Sequence, residues 1–261
     1  VQARKIDQRS RYLESINKEW TEEEKSIYYL SGTLYDLVNN FDSSYIDYNR
    51  AKESGLKNPF LNLDLWSMGV KARRDVSSIK VPNSYKKFKN NREEKKMAEV
   101  IIFINNGWSP VKTPHKYNGD IPVYISRITS NDYFKVKVNR IDKGRTFSFL
   151  DIDKTAKNNL EKKFSYYRNR SFAKFLTTEA LLLPTGIGAG GVLLRGGLHS
   201  REKADFRSWS MMPREVQMIK FYASPGQNNI VVKGLDGVVA GEFDLRLKKG
   251  QRKVLFIDHK H

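Results

Sequence analysis

The sequence predicts an α+β fold in three parts. Residues 1–96 form a helical domain that ends in a basic connector. Residues 97–204 form a mixed strand–helix domain with a glycine-rich segment, and 205–261 form a small, β-rich, sandwich-like domain. Three observations carry this reading. Apolar residues recur at helical spacing through the N-terminal third. A β-branched run and a clean alternation appear after residue 98. The C-terminal stretch holds short strand-like runs at roughly ten-residue spacing, separated by turn dipeptides.

The first helix is announced by Thr21-Glu22-Glu23-Glu24, a capping box with a hydroxyl at the cap and a carboxylate three residues on. Ile27, Leu30, Leu34, Leu37 and Val38 then recur at helical spacing and mark the expected core face. A second helix carries Phe41, Tyr45, Tyr48 and Ala51. Gly55 sits where a C-terminal glycine belongs, and Pro59 prevents continuation. A third helix is expected from Asp64 to about Ser77. Residues 71–96 hold 10 basic and 3 acidic residues and read as a solvated connector or as a contact patch for an anionic partner. The candidate patch is Lys86, Lys87, Lys89, Arg92, Lys95 and Lys96.

Val100 to Ile104 is a short apolar strand. Tyr133 to Val138 alternates, with Phe134, Val136 and Val138 on one face and lysines on the other. A turn at Asp142-Lys143-Gly144 leads to Phe147 and Phe149. Residues 151–182 return to a basic amphipathic helix, which fits packing on the sheet or lying on an anionic membrane. Residues 180–197 hold six glycines and one charge. They fit an apolar connector, and they lack the strand–helix context of a phosphate-binding loop and the length of a membrane span. Strands are expected at Gln217–Phe221, Asn229–Val232, Glu242–Leu247 and Lys253–Ile257.

The charge of +18, from 47 basic and 29 acidic residues, favours anionic partners or serves solubility alone. The absence of cysteine excludes disulfides, thiolate metal sites and cysteine nucleophiles. No apolar run is long enough for a transmembrane helix. The chain starts at Val1 without methionine or apolar leader, which reads as a mature or trimmed chain whose targeting segment, if any, has been removed. The histidines at 115, 199, 259 and 261 form no metal-binding spacing, and no G-x-S-x-G elbow is present. No catalytic residue, metal ligand or cofactor is therefore expected. The aromatics fall at core periodicities and no RNP or zinc-finger motif occurs, so nucleic acid is not the expected partner.

Two resemblances add to this. Tyr28, Gly32 and Tyr35 with Ser44, Tyr48 and Ala51 resemble one tetratricopeptide unit, although an ordinary antiparallel helix pair fits the same residues. Asp205-Phe206-Arg207-Ser208-Trp209-Ser210-Met211-Met212-Pro213 follows the glycine-rich stretch, and Asn106-Gly107-Trp108-Ser109-Pro110-Val111-Lys112 follows the first strand. These two motifs resemble a poorly characterised family of proteobacterial envelope lipoproteins with a tetratricopeptide-like N-terminal region. The lysine- and asparagine-rich version is similar to its secreted Helicobacter member. The resemblance implies an exported protein, secreted or associated with the periplasm or outer membrane, without assigned catalysis. The lipid-bearing cysteine of that pattern is missing. Asp205, Arg207, Ser208 and Trp209 are expected to be structural. The expected function is protein–protein interaction in the envelope or outside the cell. The alternative is binding of phospholipid headgroups or glycans through the basic connector and helix. An unrecognised enzyme comes third.

Overall fold

The computed structural model describes residues 22–116, 121–129, 131–163 and 211–260. The remainder of the expected 151–182 helix, the 180–197 segment and the Asp205–Trp209 motif lie outside the described residues, as does Thr21 of the capping box. The fold is mixed α+β. The chain divides into two compact units: Val1–Gly107 with Thr129–Asp151 and Glu215–His261, and Trp108–Ile128 with Ile152–Arg214.

In the first unit, three helices open the described chain: α1 (Glu22–Leu37), α2 (Phe41–Glu53) and α3 (Leu61–Lys71). Each stops by the same device. Asn39, Gly55 and Arg73 adopt positive φ just past their helices. The two amides that follow each helix end bond back into its last turn, as in Arg73 N–H to Val70 and Arg74 N–H to Gly69. That turn ends α3 at Lys71, six residues short of the expected end at Ser77. Asn40 then starts α2, its side chain accepting the Ser43 amide at 3.2 Å.

The connector is not plain coil. It contains α4 (Asn83–Asn90) and a 3-10 turn at Glu93–Lys96, with Arg92 at φ 55 between them. Tyr85 and Phe88, three residues apart, turn their rings onto Trp66 and Tyr222.

Two four-stranded sheets follow, in orders β10-β1-β7-β6 and β5-β4-β8-β9. The first comprises β1 (Ala98–Asn106), β6 (Phe147–Asp151), β7 (Glu215–Ala223) and β10 (Arg252–His259). The second comprises β4 (Phe134–Val138), β5 (Ile141–Arg145), β8 (Gly226–Gly234) and β9 (Val239–Leu247). The segment Asp142–Gly144 lies within β5; the chain reverses instead at Asn139 and Arg140, both at positive φ, as a tight hairpin requires.

β1 is central and buried on both faces, which explains its unbroken apolar run. Val100, Ile102 and Ile104 pack with Phe134, Val136, Ile230 and Val232 of the second sheet. Ile101 and Phe103 pack with Tyr29, Tyr48, Leu65 and Met68 of the helices. The unit is thus three layers: helices, sheet, sheet.

The orientation of α1 departs from the expectation: Leu30 packs on the core and Leu37 is half-buried, but the other three expected core residues are not buried. Ile27, Leu34 and Val38 are 41%, 39% and 70% exposed. The buried face is Ser26, Tyr29, Thr33 and Asp36, whose polar atoms find partners in the sheet, in α3 and within α1 itself. Ser26 Oγ, for example, donates to the Phe149 carbonyl at 2.7 Å. α1 and α2 cross closely at Gly32, where an added Cβ would lie 2.7 Å from the buried Tyr48 ring. Ser44 Oγ donates to the Gly32 carbonyl at 2.7 Å across the same crossing.

The second unit holds the hairpin β2 (Val111–Pro114) and β3 (Pro122–Ile125), and a helix, α5, over 152–163. Among the described residues, no helix is long and apolar enough to cross a membrane.

Candidate functional site

Strand alternation sends Lys220 and Tyr222 of β7 toward the helices while Ile219 and Phe221 enter the inter-sheet core. Register then sets their neighbours. Glu99 of β1 stands opposite Arg252 of β10 on one side and Tyr222 of β7 on the other. The helices close over this row and add Asp36 from α1 and Asp64 from α3.

The result is a buried, alternating charge network. Lys220 Nζ lies 2.7 Å from Asp64 and 3.2 Å from Glu99, with all three side chains under 10% exposed. Arg252 pairs with Glu99 at 3.2 Å and with Asp36 at 3.0 Å. Tyr29 Oη donates to Asp64 at 2.5 Å, and Lys89 Nζ donates to Tyr222 Oη at 2.8 Å. Lys89 also pairs with Glu94, and Lys71 lies 3.7 Å from Asp36.

These contacts move the proton affinities. Burial alone would raise Glu99, but Lys220, Arg252 and Lys89 outweigh it and hold the carboxyl down at about 2. Burial would lower Lys220, but Asp64 and Glu99 keep its ammonium well above the ordinary lysine range. Burial raises the Asp64 carboxyl, with Lys220 and the Tyr29 hydroxyl pulling it back. Burial lowers Lys71 against the pull of Asp36.

Two cavities flank the network. One, of about 840 Å³, is ringed by Lys71, Lys89, Arg92, Lys95 and Arg252, with Glu94 and Glu99 as the carboxylates among its described lining residues. The Asn39, Asn90 and Gln251 side chains add polar lining. The other, of about 440 Å³, is mostly apolar, lined by Phe60, Leu63, Pro82, Tyr85 and Phe88 above the Asp64–Lys220 pair. Among the described residues, Arg92 and Lys95 carry no ion pair, whereas Lys71, Lys89 and Arg252 are partly neutralised by Asp36, Glu94 and Glu99.

Of the six lysines and arginines singled out in the connector, Lys89, Arg92 and Lys95 line the larger cavity. Lys86 and Lys87 stand on α4 and Lys96 ends the 3-10 turn, none of them lining either cavity. Asp205, Arg207, Ser208 and Trp209 lie outside the described residues. Sequence reasoning missed Lys71, Arg252, Lys220, Asp64 and Glu99. The available signal was a lone charge in an apolar window, as in Met218-Ile219-Lys220-Phe221 and Ala98-Glu99-Val100-Ile101.

In the second unit, Ser126 Oγ lies 2.9 and 2.8 Å from the two Asp153 oxygens, and Lys157 Nζ pairs with Asp153 at 2.9 Å. Arg127 stacks 6.0 Å over Trp108 of the Gly107–Lys112 loop. Comparison with family models, with curated proteins and with solved structures finds no match to this chain.

Proposed function

We propose that this chain is a non-enzymatic, exported binding protein that holds an anionic ligand in the basic cavity of its first unit. One observation carries the reading: five cations converge on one cavity against two carboxylates, and the two at its rim, Arg92 and Lys95, have no ion pair among the described residues. An anion entering there gains charge-assisted hydrogen bonds without breaking an existing pair. Its chemistry is that of phosphorylated or carboxylated groups, as in phospholipid headgroups and acidic glycans. The envelope or extracellular location rests on the resemblance of the Gly107–Lys112 and Asp205–Pro213 motifs to envelope lipoproteins.

Calorimetric titration of the full chain with methyl phosphate tests the reading. Binding is expected to weaken by about tenfold for each of Arg92→Ala and Lys95→Ala. It should also fall steeply with salt, since exposed charges are screened over about 10 Å at ~0.1 M. Equal affinity in the double variant would overturn it.

A specific observation favours a second reading, interaction with a protein partner. The outward stripe of Ile27, Leu34 and Val38 on the tetratricopeptide-like helix pair offers apolar area for a partner helix. Capture of such a partner from envelope or host-cell extract should survive high salt and be lost in Leu34→Glu.

A further inference from the structure

The two cavities share one lining side chain. Tyr222 lines both. The consecutive α4 residues Phe88 and Lys89 also take one side each: Phe88 lines the apolar cavity and Lys89 the basic one. Both hold the same tyrosine, Phe88 with ring centroids 4.9 Å apart and Lys89 by its 2.8 Å hydrogen bond. Lys220 on the apolar side and Glu99 on the basic side are paired at 3.2 Å.

The two chambers differ in what they offer. The apolar chamber contains charges, but Lys220 is already matched by Asp64 and Glu99, so it presents hydrocarbon walls over a satisfied floor. Its volume, about 440 Å³, lies in the range of small-molecule sites. The basic chamber presents Arg92 and Lys95, which carry no ion pair among the described residues. A glycan or a free phosphate would use only the basic side and leave the apolar walls idle.

We propose that the two cavities are halves of one site for a single-chain amphiphile, its anionic head among Arg92, Lys95 and Lys89 and its alkyl chain against Phe60, Leu63 and Phe88, passing Tyr222. This rests on the anion-binding reading and narrows its ligand class to a lipid-like anion. Tyr222 is the shared side chain, and α4, which supplies both Phe88 and Lys89, is the element that shifts to admit the chain.

The test is calorimetric titration of the full chain with methyl, butyl, octyl and dodecyl phosphate, each below its micelle concentration, alongside dodecanol. Affinity is expected to rise about two- to fourfold per methylene buried. Ser84→Trp places a large ring at the exposed edge of the apolar chamber. It should flatten that rise and leave methyl phosphate unaffected, with folding checked by circular dichroism. Methyl phosphate binding that does not strengthen with chain length in the parent protein would overturn the bipartite site and leave the anion reading standing. A rise that persists unchanged in folded Ser84→Trp would place the chain elsewhere and also overturn it. Dodecanol binding as tightly as dodecyl phosphate, or no binding of any phosphate, would overturn the anion reading itself.

Discussion

Replacing Lys220 with methionine keeps the length and apolar stem of the side chain and deletes its charge. Asp64 and Glu99, 2.7 and 3.2 Å from Nζ, would then be buried carboxylates without their shared cation. Removing one partner of a buried pair costs about 3–5 kcal/mol, a large share of the ~5–15 kcal/mol that holds a domain together. Glu99 keeps Arg252, and Asp64 keeps only the Tyr29 hydroxyl, so Asp64 bears most of the loss. The loss must depend on pH. Without Lys220, burial raises the Asp64 carboxyl further above its unfolded value, while Glu99 keeps Arg252 and Lys89. The folded state then binds protons more readily than the unfolded state, and the variant is least stable near neutrality and recovers as the pH falls toward 5. Urea unfolding at the two pH values reads this directly, and adding Asp64→Asn to the variant should restore much of the loss near pH 7. A cost below about 1 kcal/mol near neutrality, or one that does not shrink on acidification, would refute the reasoning.

Three further outcomes are expected. In the parent protein, the Glu99 carboxyl is held at about 2 against an ordinary 4.5, so it contributes about 3 kcal/mol of stability above pH 4.5 that is lost as the pH falls toward 2. Acid titration of Glu99→Gln should lack that component. Gly32→Ala drives a methyl into the Tyr48 ring, and the overpacking cost of ~1–3 kcal/mol exceeds the helix-propensity gain of ~1 kcal/mol, so a lower urea midpoint is expected. Asn40→Ala removes the cap of α2 and should cost about 1 kcal/mol in the same assay.

The strands were legible where one face is buried. Phe134, Val136 and Val138 alternate as expected because the lysines between them meet solvent. The helix pair α1 and α2 was legible, and α2 packs the expected Phe41, Tyr45, Tyr48 and Ala51 on the core, but the end of α3 and the orientation of α1 were not. In α1 Ile27, Leu34 and Val38 face out, and the face on the sheet is built from tyrosine, serine, threonine and aspartate. Its polar atoms are satisfied by long-range partners such as Phe149, which periodicity alone does not reveal. α4 was hidden because its few apolar residues, Tyr85 and Phe88, sit among lysines. What holds it is tertiary, the contacts of those rings with Trp66 and Tyr222.

For the candidate site, charge density in the connector marked Lys89, Arg92 and Lys95. The rest depends on strand pairing that sequence does not specify. β10 lies parallel to β1 and brings Arg252 beside Glu99 across 153 residues of chain, and β7 brings Lys220 to Asp64 across 156.

The measurement that tests the central claim most directly is a titration of the isotope-labelled full chain with methyl phosphate, followed by amide nuclear magnetic resonance shifts. Saturable shifts concentrated at Asn90, Arg92, Lys95 and Gln251 around the basic cavity are expected. Weak shifts spread over exposed lysines elsewhere, such as Lys135, Lys137, Lys248 and Lys249, would contradict it and reduce the charge of +18 to a general surface property.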